Sequence, residues 1–225
     1  EVGGTGTGST IVGPVSGLGS IIVDGVRIDD STASVRNADG QSVPRDAVKL
    51  GTVVEAATGP ISDDGAGNRS ATAQSVQIRT ELRGPLQAID LAAMRVTVLG
   101  QVVAITASTV IDGGAASLAL GQVVEIHGNQ DVQAQRFVAT RIEAVGGNAD
   151  FKVRGVAQNV TASPPRLSIA GQSYDLAATG VPAGVADDRF VATSVERVQR
   201  NGPWPVIRAK ADDRRTTDGQ QTELA

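Results

Sequence analysis

The chain has 225 residues, a formal net charge of −4 and no cysteine, so disulfides and thiolate metal sites are excluded. A negative chain with only three Phe, one Tyr and one Trp lacks the basic groove and aromatic platforms of nucleic-acid binders. We therefore expect no nucleic-acid partner. No stretch approaches the roughly 18 apolar residues of a membrane span, so we expect no spanning segment either.

Three stretches of the chain repeat one layout of strand, tight turn and hairpin. Their opening glycines, Gly13, Gly84 and Gly155, are spaced 71 residues apart. A fixed period of that size, carrying several strands each time, indicates a small β domain used three times. Abundant Gly, Val and Ile with little helical apolar spacing agree with this pattern. The sequence therefore predicts an all-β fold.

The repeat also predicts the domain boundaries. In chain order we expect a flexible N-terminal tether (1–9), barrel 1 (10–81), barrel 2 (82–147), a degenerate barrel 3 (148–211) and a C-terminal tail (212–225). The first nine residues carry one large apolar side chain, too little to offset the entropy of ordering them. Each barrel of about 70 residues is near the lower limit for independent stability. We therefore expect neighbouring units to pack on each other or to share strands.

In barrel 1, Ile11 to Ser16 is predicted to form the first strand. Asp24-Gly25 then lies between two short runs of Val and Ile, which is typical of a hairpin with a type I′ turn. The polar stretch from Ser31 to Val48 is predicted to be irregular, with a short helical turn near its end. Further strands are expected at Leu50 to Ala56 and at Ala71 to Leu82.

The second and third units repeat these elements with changes. Leu99-Gly100 and Ala170-Gly171 occupy the hairpin position, so Gly25, Gly100 and Gly171 are predicted to hold turns, the first two with positive φ. Leu118 to Ile126 corresponds to the strand of barrel 1 that begins near Leu50. The third unit diverges most, and its predicted hairpin loop carries the only tryptophan, Trp204.

Several motifs in order resemble a bacterial family. They read Gly13-Pro14-Val15, Leu50-Gly51-Thr52-Val53-Val54-Glu55, Leu82-Arg83-Gly84-Pro85 and Leu120-Gly121-Gln122-Val123-Val124-Glu125. The family is an exported domain of unknown function that occurs as tandem OB-like β-barrels, and the likeness covers units one and two well and unit three loosely. It implies three tandem small OB-like barrels, export to the envelope and no established activity. No catalytic residues carry over from it.

Three groups of residues are candidates for catalysis or metal binding. His127 is the only histidine and is expected to be an ordinary surface or edge residue, because no nucleophile motif accompanies it. The acidic loop from Asp63 to Asn68 offers oxygens to a calcium ion, but it lacks the EF-hand order of ligands, and a solvated turn is favoured. Glu55 and Glu125 occupy equivalent places in two barrels and are expected to face water rather than to form a catalytic pair. We therefore expect no catalytic residue, metal or cofactor.

The leading hypothesis is a non-enzymatic, exported structural or interaction module of the bacterial envelope that self-assembles head-to-tail into a filament. Its assembly segments would be the N-terminal residues Thr10, Ile11, Val12 and Val15, or the tail that includes Leu224, adding as a strand to the next copy. The expected partners are further copies of the chain or other envelope proteins. The expected location is extracellular or on the cell surface, with the periplasm second.

The alternative hypothesis is a ligand-binding envelope protein. Barrels of this kind use one face and its loops to hold oligosaccharides or small molecules. The loop around Trp204 is the candidate ligand contact, because it displays a large aromatic side chain. Concentration-dependent assembly would favour the first hypothesis, and saturable stabilisation by a ligand would favour the second.

Overall fold

The computed structural model describes residues 8–146 and 151–176 and five short strands at 191–193, 206–207, 210–212, 214–217 and 220–223. Regular structure in these ranges is β-strand, apart from two short 3₁₀ helices at Arg45–Ala47 and Ala115–Ser117. Among the described residues, no helix is long and apolar enough to cross a membrane. The chain falls into two compact units, Glu1–Thr80 and Glu81–Ala225.

The first unit has seven strands, five of which form the wall of a closed β-barrel, called barrel 1. Its strands are β1 Ser9–Gly17, β2 Ile21–Val23, β3 Val26–Asp29, β4 Ser34–Arg36, β5 Val53–Thr58, β6 Ser62–Asp63 and β7 Arg69–Arg79. The wall follows the order β3-β2-β1-β5-β7, and the parallel pairing of β3 with β7 closes it. The short strands β4 and β6 also pair with β7.

The interior of barrel 1 is filled by aliphatic side chains. In β3, Val26 and Ile28 are buried whereas Arg27 and Asp29 are exposed, as the two-residue period of a strand requires. The buried core consists of Ile11, Val15, Ile21, Val23, Val26, Ile28, Val35, Val48, Val54, Ala56, Ala73, Val76 and Ile78. Because these side chains are small or branched, they fill a narrow barrel without an aromatic residue.

The second unit begins with another closed barrel, called barrel 2. Its strands are β8 Leu82–Asp90, β9 Arg95–Val98, β10 Gln101–Ala104, β11 Val110–Ile111, β12 Val123–Asp131 and β13 Arg136–Ala144, and β14 Lys152–Val153 follows them in the chain. The wall order β10-β9-β8-β12-β13, closed by parallel β10 and β13, is that of barrel 1. The strand β11 pairs with β13 as β4 pairs with β7. The repeat seen in the sequence is therefore a repeat of topology.

A third sheet follows barrel 2 in the same unit. Its strands are β15 Gly155–Ala162, β16 Pro165–Ile169, β17 Gln172–Leu176, β18 Val191–Thr193, β19 Val206–Ile207 and β20 Lys210–Asp212, and a hairpin of β21 Arg214–Thr217 and β22 Gln220–Glu223 comes last. The sheet has the order β19-β17-β16-β15-β18-β20. The prediction of an all-β tandem-barrel fold is thus confirmed, with two closed barrels and a third small sheet.

Barrel 2 and the third sheet share one hydrophobic core. Leu167, Ile169 and Tyr174 of the third sheet belong to the same buried cluster as Leu99 and Val103 of barrel 2. In addition, β14 pairs with β8, so a strand that follows barrel 2 in the chain extends its sheet. The expectation that neighbouring units pack together or share strands is confirmed for this pair.

Candidate functional site

A polar groove crosses the surface of barrel 1 between the β2–β3 hairpin and the loop that follows β6. It has a volume of about 540 Å³. Its lining side chains include Ile22, Arg27, Ser62, Asp63, Asn68, Arg69 and Ser70. The strand register brings them together, because Arg27 and Ser62 both lie opposite Ser70, and Asp63 lies opposite Arg69. The groove therefore offers guanidinium, hydroxyl, amide and carboxylate groups within a small area.

Between β12 and β13, barrel 2 has no counterpart of β6 and the loop that follows it. There β12 and β13 are joined by a tight turn, with Asp131 directly opposite Arg136. Barrel 1 instead inserts β6 and a glycine-containing loop at the same point of the fold. The insertion that forms one side of the groove is therefore a local addition to the repeated barrel. Loops held by a rigid scaffold carry a disproportionate share of binding residues.

The acidic loop of barrel 1 bonds chiefly to itself. Asp63 Oδ1 accepts from the backbone N–H of Gly65 at 2.8 Å, and Asp64 Oδ1 accepts from that of Ala66 at 2.8 Å. The Asn68 side-chain amide donates to Asp64 Oδ2 and holds the pKa of that carboxyl below its ordinary value. These bonds make a turn of the Asx type. In the described ranges, no group of three or more His, Asp or Glu side chains is placed to hold a metal ion.

A row of charged side chains crosses the outer face of barrel 2. Lys152, Arg83, Glu125 and Glu143 lie directly opposite one another across β14, β8, β12 and β13. Direct cross-strand neighbours project from the same face of a sheet, so the four side chains stand side by side. Arg83 Nη2 donates to Glu125 Oε1 at 3.1 Å, and the side chains of Arg83 and Lys152 are almost fully buried.

One step further along the strands, His127 lies opposite Arg141 and joins this row. Arg141 donates to Glu143 Oε2 at 3.1 Å and also to Asp112. His127 is only 1% exposed, and its Nε2 lies 3.8 Å from Glu143 Oε1, which is too far for a hydrogen bond. The prediction of a surface histidine is wrong, because the outer face of β12 is itself covered, a property of tertiary packing that strand alternation does not reveal.

Barrel 1 carries a smaller version of the same arrangement. Glu55 of β5 accepts from the Arg79 guanidinium, and Gln77 lies directly opposite Glu55. The Glu55 side chain is 23% exposed and that of Glu125 15%, so both lie on the outer face, as expected, but are largely covered there. Each carboxylate forms an ion pair with an arginine of its own barrel. The two residues therefore act as structural acceptors on the sheets.

These ion pairs join side chains of neighbouring strands within each barrel. A general base takes a proton across a hydrogen bond in which the two heavy atoms are about 2.6–3.2 Å apart. His127 does not reach its acidic neighbour at that distance, and the arginines already occupy oxygens of Glu125 and Glu143. Removing one partner of a buried ion pair costs about 3–5 kcal/mol, because it leaves the other charge buried without compensation. Sequence reasoning missed this row because Arg83 and Arg141 have the pattern of ordinary outward-facing strand residues.

The turn glycines lie at the tips of the hairpins. The φ angles of the two central residues are 50° and 71° for Asp24-Gly25, 50° and 76° for Leu99-Gly100, and 46° and 77° for Ala170-Gly171. Two successive positive φ angles define a type I′ turn. Leu99 and Ala170 adopt this conformation although they are not glycine, which sequence reasoning did not anticipate.

The N-terminal assembly segment is part of its own barrel. Thr10, Ile11 and Val12 in β1 pair with β5 of the same chain, and Ile11 and Val15 are buried in its core. These residues are therefore not a free arm that inserts into a neighbouring copy, because removing them would open barrel 1. Two other predicted residues, Leu224 of the tail and Trp204 of the ligand loop, lie outside the described residues, as do residues 1–7 of the tether.

Comparison with known proteins adds one finding for barrel 2. No curated protein matches the chain. Residues 83–143 match a family described as a domain of unknown function (DUF5666). The match begins in β8 and ends in β13, so it covers the wall of barrel 2. This stretch of the chain is therefore similar to a family of unknown function.

Proposed function

We propose that the protein is a non-enzymatic structural or interaction module that self-associates through its β-strands. The observation that carries this proposal is the outer edge of β1. Residues Ser9 to Pro14 pair with β5 on one side, and none of the described strands pairs with them on the other. An open strand edge presents unpaired N–H and C=O groups, which favour the addition of a further strand.

The equivalent edge of barrel 2 is already occupied. There β14 pairs with Leu82 and Arg83, which correspond to Ile11 and Val12 of barrel 1 at the repeat spacing of 71 residues. The fold thus uses this edge of barrel 2 as a junction with the beginning of the next repeat. That use supports an interaction role for the edge that barrel 1 leaves open.

The envelope location belongs to the same proposal. The Gly-Pro and Leu-Gly motifs resemble an exported bacterial family with tandem OB-like barrels, and the wall order with its parallel closure supports the OB-like description. Partners would be further copies of the chain or other proteins of the cell surface. The predicted filament needs a donor strand distant from β1, such as the tail at 212–225, whereas a donor identical to the acceptor closes the assembly at two copies.

Light scattering of the full chain over a range of concentrations tests the proposal. We expect the mean mass to rise with concentration, and a chain that stays monomeric throughout would refute self-association. Deleting residues 212–225 separates the two arrangements. Loss of assembly would identify the tail as the donor strand, and unchanged assembly would exclude it.

The groove of barrel 1 favours a second candidate function, the binding of an oligosaccharide or other polar small molecule. Its hydroxyl, amide and guanidinium groups, together with the apolar side chain of Ile22, suit a ligand with many hydroxyl groups. Thermal melting in the presence of a panel of oligosaccharides tests it. A stabilising ligand should lose its effect in Arg27→Ala and keep it in Arg95→Ala, a matched exposed arginine of barrel 2.

A further inference from the structure

The contact between β8 and β14 joins two equivalent positions of the repeat. Leu82 lies opposite Val153, and these residues are 71 apart, as are the opening glycines Gly84 and Gly155. Arg83, which follows Leu82, lies opposite Lys152, which precedes Val153. The two strands are antiparallel, and equivalent residues of successive repeats lie opposite each other. Within this unit, the start of one repeat therefore pairs with the start of the next about a local two-fold axis.

In barrel 1 the equivalent strand is β1, and its backbone groups on the open side pair with none of the described strands. The Val15 N–H donates to Thr52 O at 2.9 Å, and the Val15 carbonyl accepts from Gly51, so the backbone of Val15 points towards β5. Successive residues of a strand point their backbone groups to opposite sides. Thr10 and Val12 therefore direct one N–H and one C=O each towards the open edge. Pro14, which faces the same way, has no N–H, as is common for proline at an edge.

Transposing the β8–β14 register onto barrel 1 gives a self-complementary pairing. Val153 and Leu82 both correspond to Ile11, so Ile11 would lie opposite Ile11 of a second copy. Arg83 corresponds to Val12 and Lys152 to Thr10, so each Val12 would lie opposite Thr10 of the other chain. In the existing contact, the Arg154 N–H donates to Glu81 O at 2.7 Å. Its equivalent is a bond from the N–H of Val12 to the carbonyl of Thr10 in the second copy.

We propose that the open edge of β1 binds the same edge of a second copy of this chain, antiparallel and centred on Ile11. The register satisfies the outward N–H groups of Thr10 and Val12 and places Pro14, which cannot donate, towards its end. It also covers Val12, whose side chain is 41% exposed. Because both copies use the same surface, the assembly closes as a two-fold dimer. The inference rests on the proposed self-association and specifies its partner and geometry.

Cysteine cross-linking tests the register directly, because the native chain contains no cysteine. Directly opposite residues of a hydrogen-bonded pair are about 5.5 Å apart, which suits a disulfide, whereas diagonal neighbours lie about 7–8 Å apart. Mild oxidation of an equimolar mixture of Thr10→Cys and Val12→Cys should give the covalent heterodimer, and each variant alone should give little. Equal cross-linking of the single variants, or none in a sample that self-associates, would overturn the proposed register.

A charge at the edge tests the contact by affinity. Val12→Lys should raise the dissociation constant at least tenfold in sedimentation equilibrium, because it adds like charges at the junction. Val102→Lys is the matched control, since Val102 is also 41% exposed but lies in β10, which is paired on both sides. Equal effects of the two variants would overturn the inference. If Val12→Lys still forms assemblies larger than a dimer, the proposed dimer is overturned but the proposed self-association is not. If the native chain is monomeric at every concentration, both are refuted.

Discussion

Tyr174 links the third sheet to barrel 2 through its hydroxyl group, and removing that group is the most direct test of the shared core. The side chain is fully buried. Its hydroxyl donates to the Leu99 carbonyl at 2.8 Å and accepts from the Gln101 side-chain amide at 2.6 Å. The same amide donates to the Ile169 carbonyl at 2.7 Å. Tyr174→Phe therefore removes two hydrogen bonds and leaves the packing of the ring in place.

The expected cost follows from these contacts. A lost hydrogen bond costs about 0.5–1.5 kcal/mol, and a buried group left without its partner raises this to about 1–3 kcal/mol. The Gln101 amide keeps its bond to Ile169, so we expect a total near 2 kcal/mol for the unit Glu81–Ala225. Urea unfolding followed by circular dichroism measures this loss. A change below about 0.5 kcal/mol, the range of ordinary surface substitutions, would refute the role of the hydroxyl.

A double-mutant cycle separates this bond from general damage to the core. Gln101→Leu removes the amide that donates to the Tyr174 hydroxyl. Because the two side chains share one bond, the double variant should lose less stability than the sum of the single variants, by about 0.5 kcal/mol or more. Strict additivity would show that Tyr174 and Gln101 stabilise the unit independently. Barrel 1 is the internal control, since its own unfolding should not change.

The same hydroxyl predicts a loss of stability at alkaline pH. Burial raises the pKa of Tyr174 well above its ordinary value, because the charged phenolate is poorly solvated there. A raised pKa contributes stability that is complete below the unfolded value of about 10 and declines as the pH rises above it, by up to about 1.4 kcal/mol per pH unit. Tyr174 is the only tyrosine, so tyrosinate absorbance reports it alone. Ionisation without unfolding near pH 10 would contradict its burial.

Three further predictions concern turns and charges. Gly25→Val and Gly100→Val should each lower the stability of their barrel by about 1 kcal/mol or more, because valine is strained at φ of 71° and 76°; unchanged melting would contradict this. The backbone N–H of Ala93 lowers the pKa of the Asp90 carboxyl, so Asp90→Asn should destabilise at neutral pH, and its difference from the native chain should begin to shrink only below about pH 4, as the pH falls towards the lowered pKa. His127→Ala should lower the melting temperature because the side chain is buried, but leave any ligand binding by barrel 1 unchanged.

The sequence predicted the features that depend on local chemistry. Asp24-Gly25 predicted its turn because only a few residues tolerate positive φ, and the short 3₁₀ helix at Arg45–Ala47 lies close to the predicted helical turn. The strand β4 was missed inside the stretch predicted to be irregular. It has three residues, only Val35 is buried, and its partner β7 lies about 40 residues further along the chain. A parallel pairing of that kind leaves no local pattern in the sequence.

The burial of charged residues was unpredictable for a related reason. Alternation along β12 correctly places Val124 and Ile126 inside the barrel and Glu125 and His127 on its outer face. It does not say whether that outer face meets water, because the answer depends on what else packs there. Side-chain burial on an outer face therefore depends on tertiary packing. The sequence does not show that packing, so Glu125 and His127 were expected to be more exposed than they are.

The open edge of barrel 1 follows from the barrel topology itself. In each closed barrel the first strand bends, and among the strands of its own barrel its first half pairs with β5 or β12 alone, whereas its second half pairs with the hairpin. The first half therefore has one side left over. Barrel 2 fills that side with the beginning of the next repeat, through Lys152 and Val153. In barrel 1 none of the described strands pairs with this side. The first strand of each repeat can act both as the acceptor and as the added strand, so β1 of a second copy offers the matching edge.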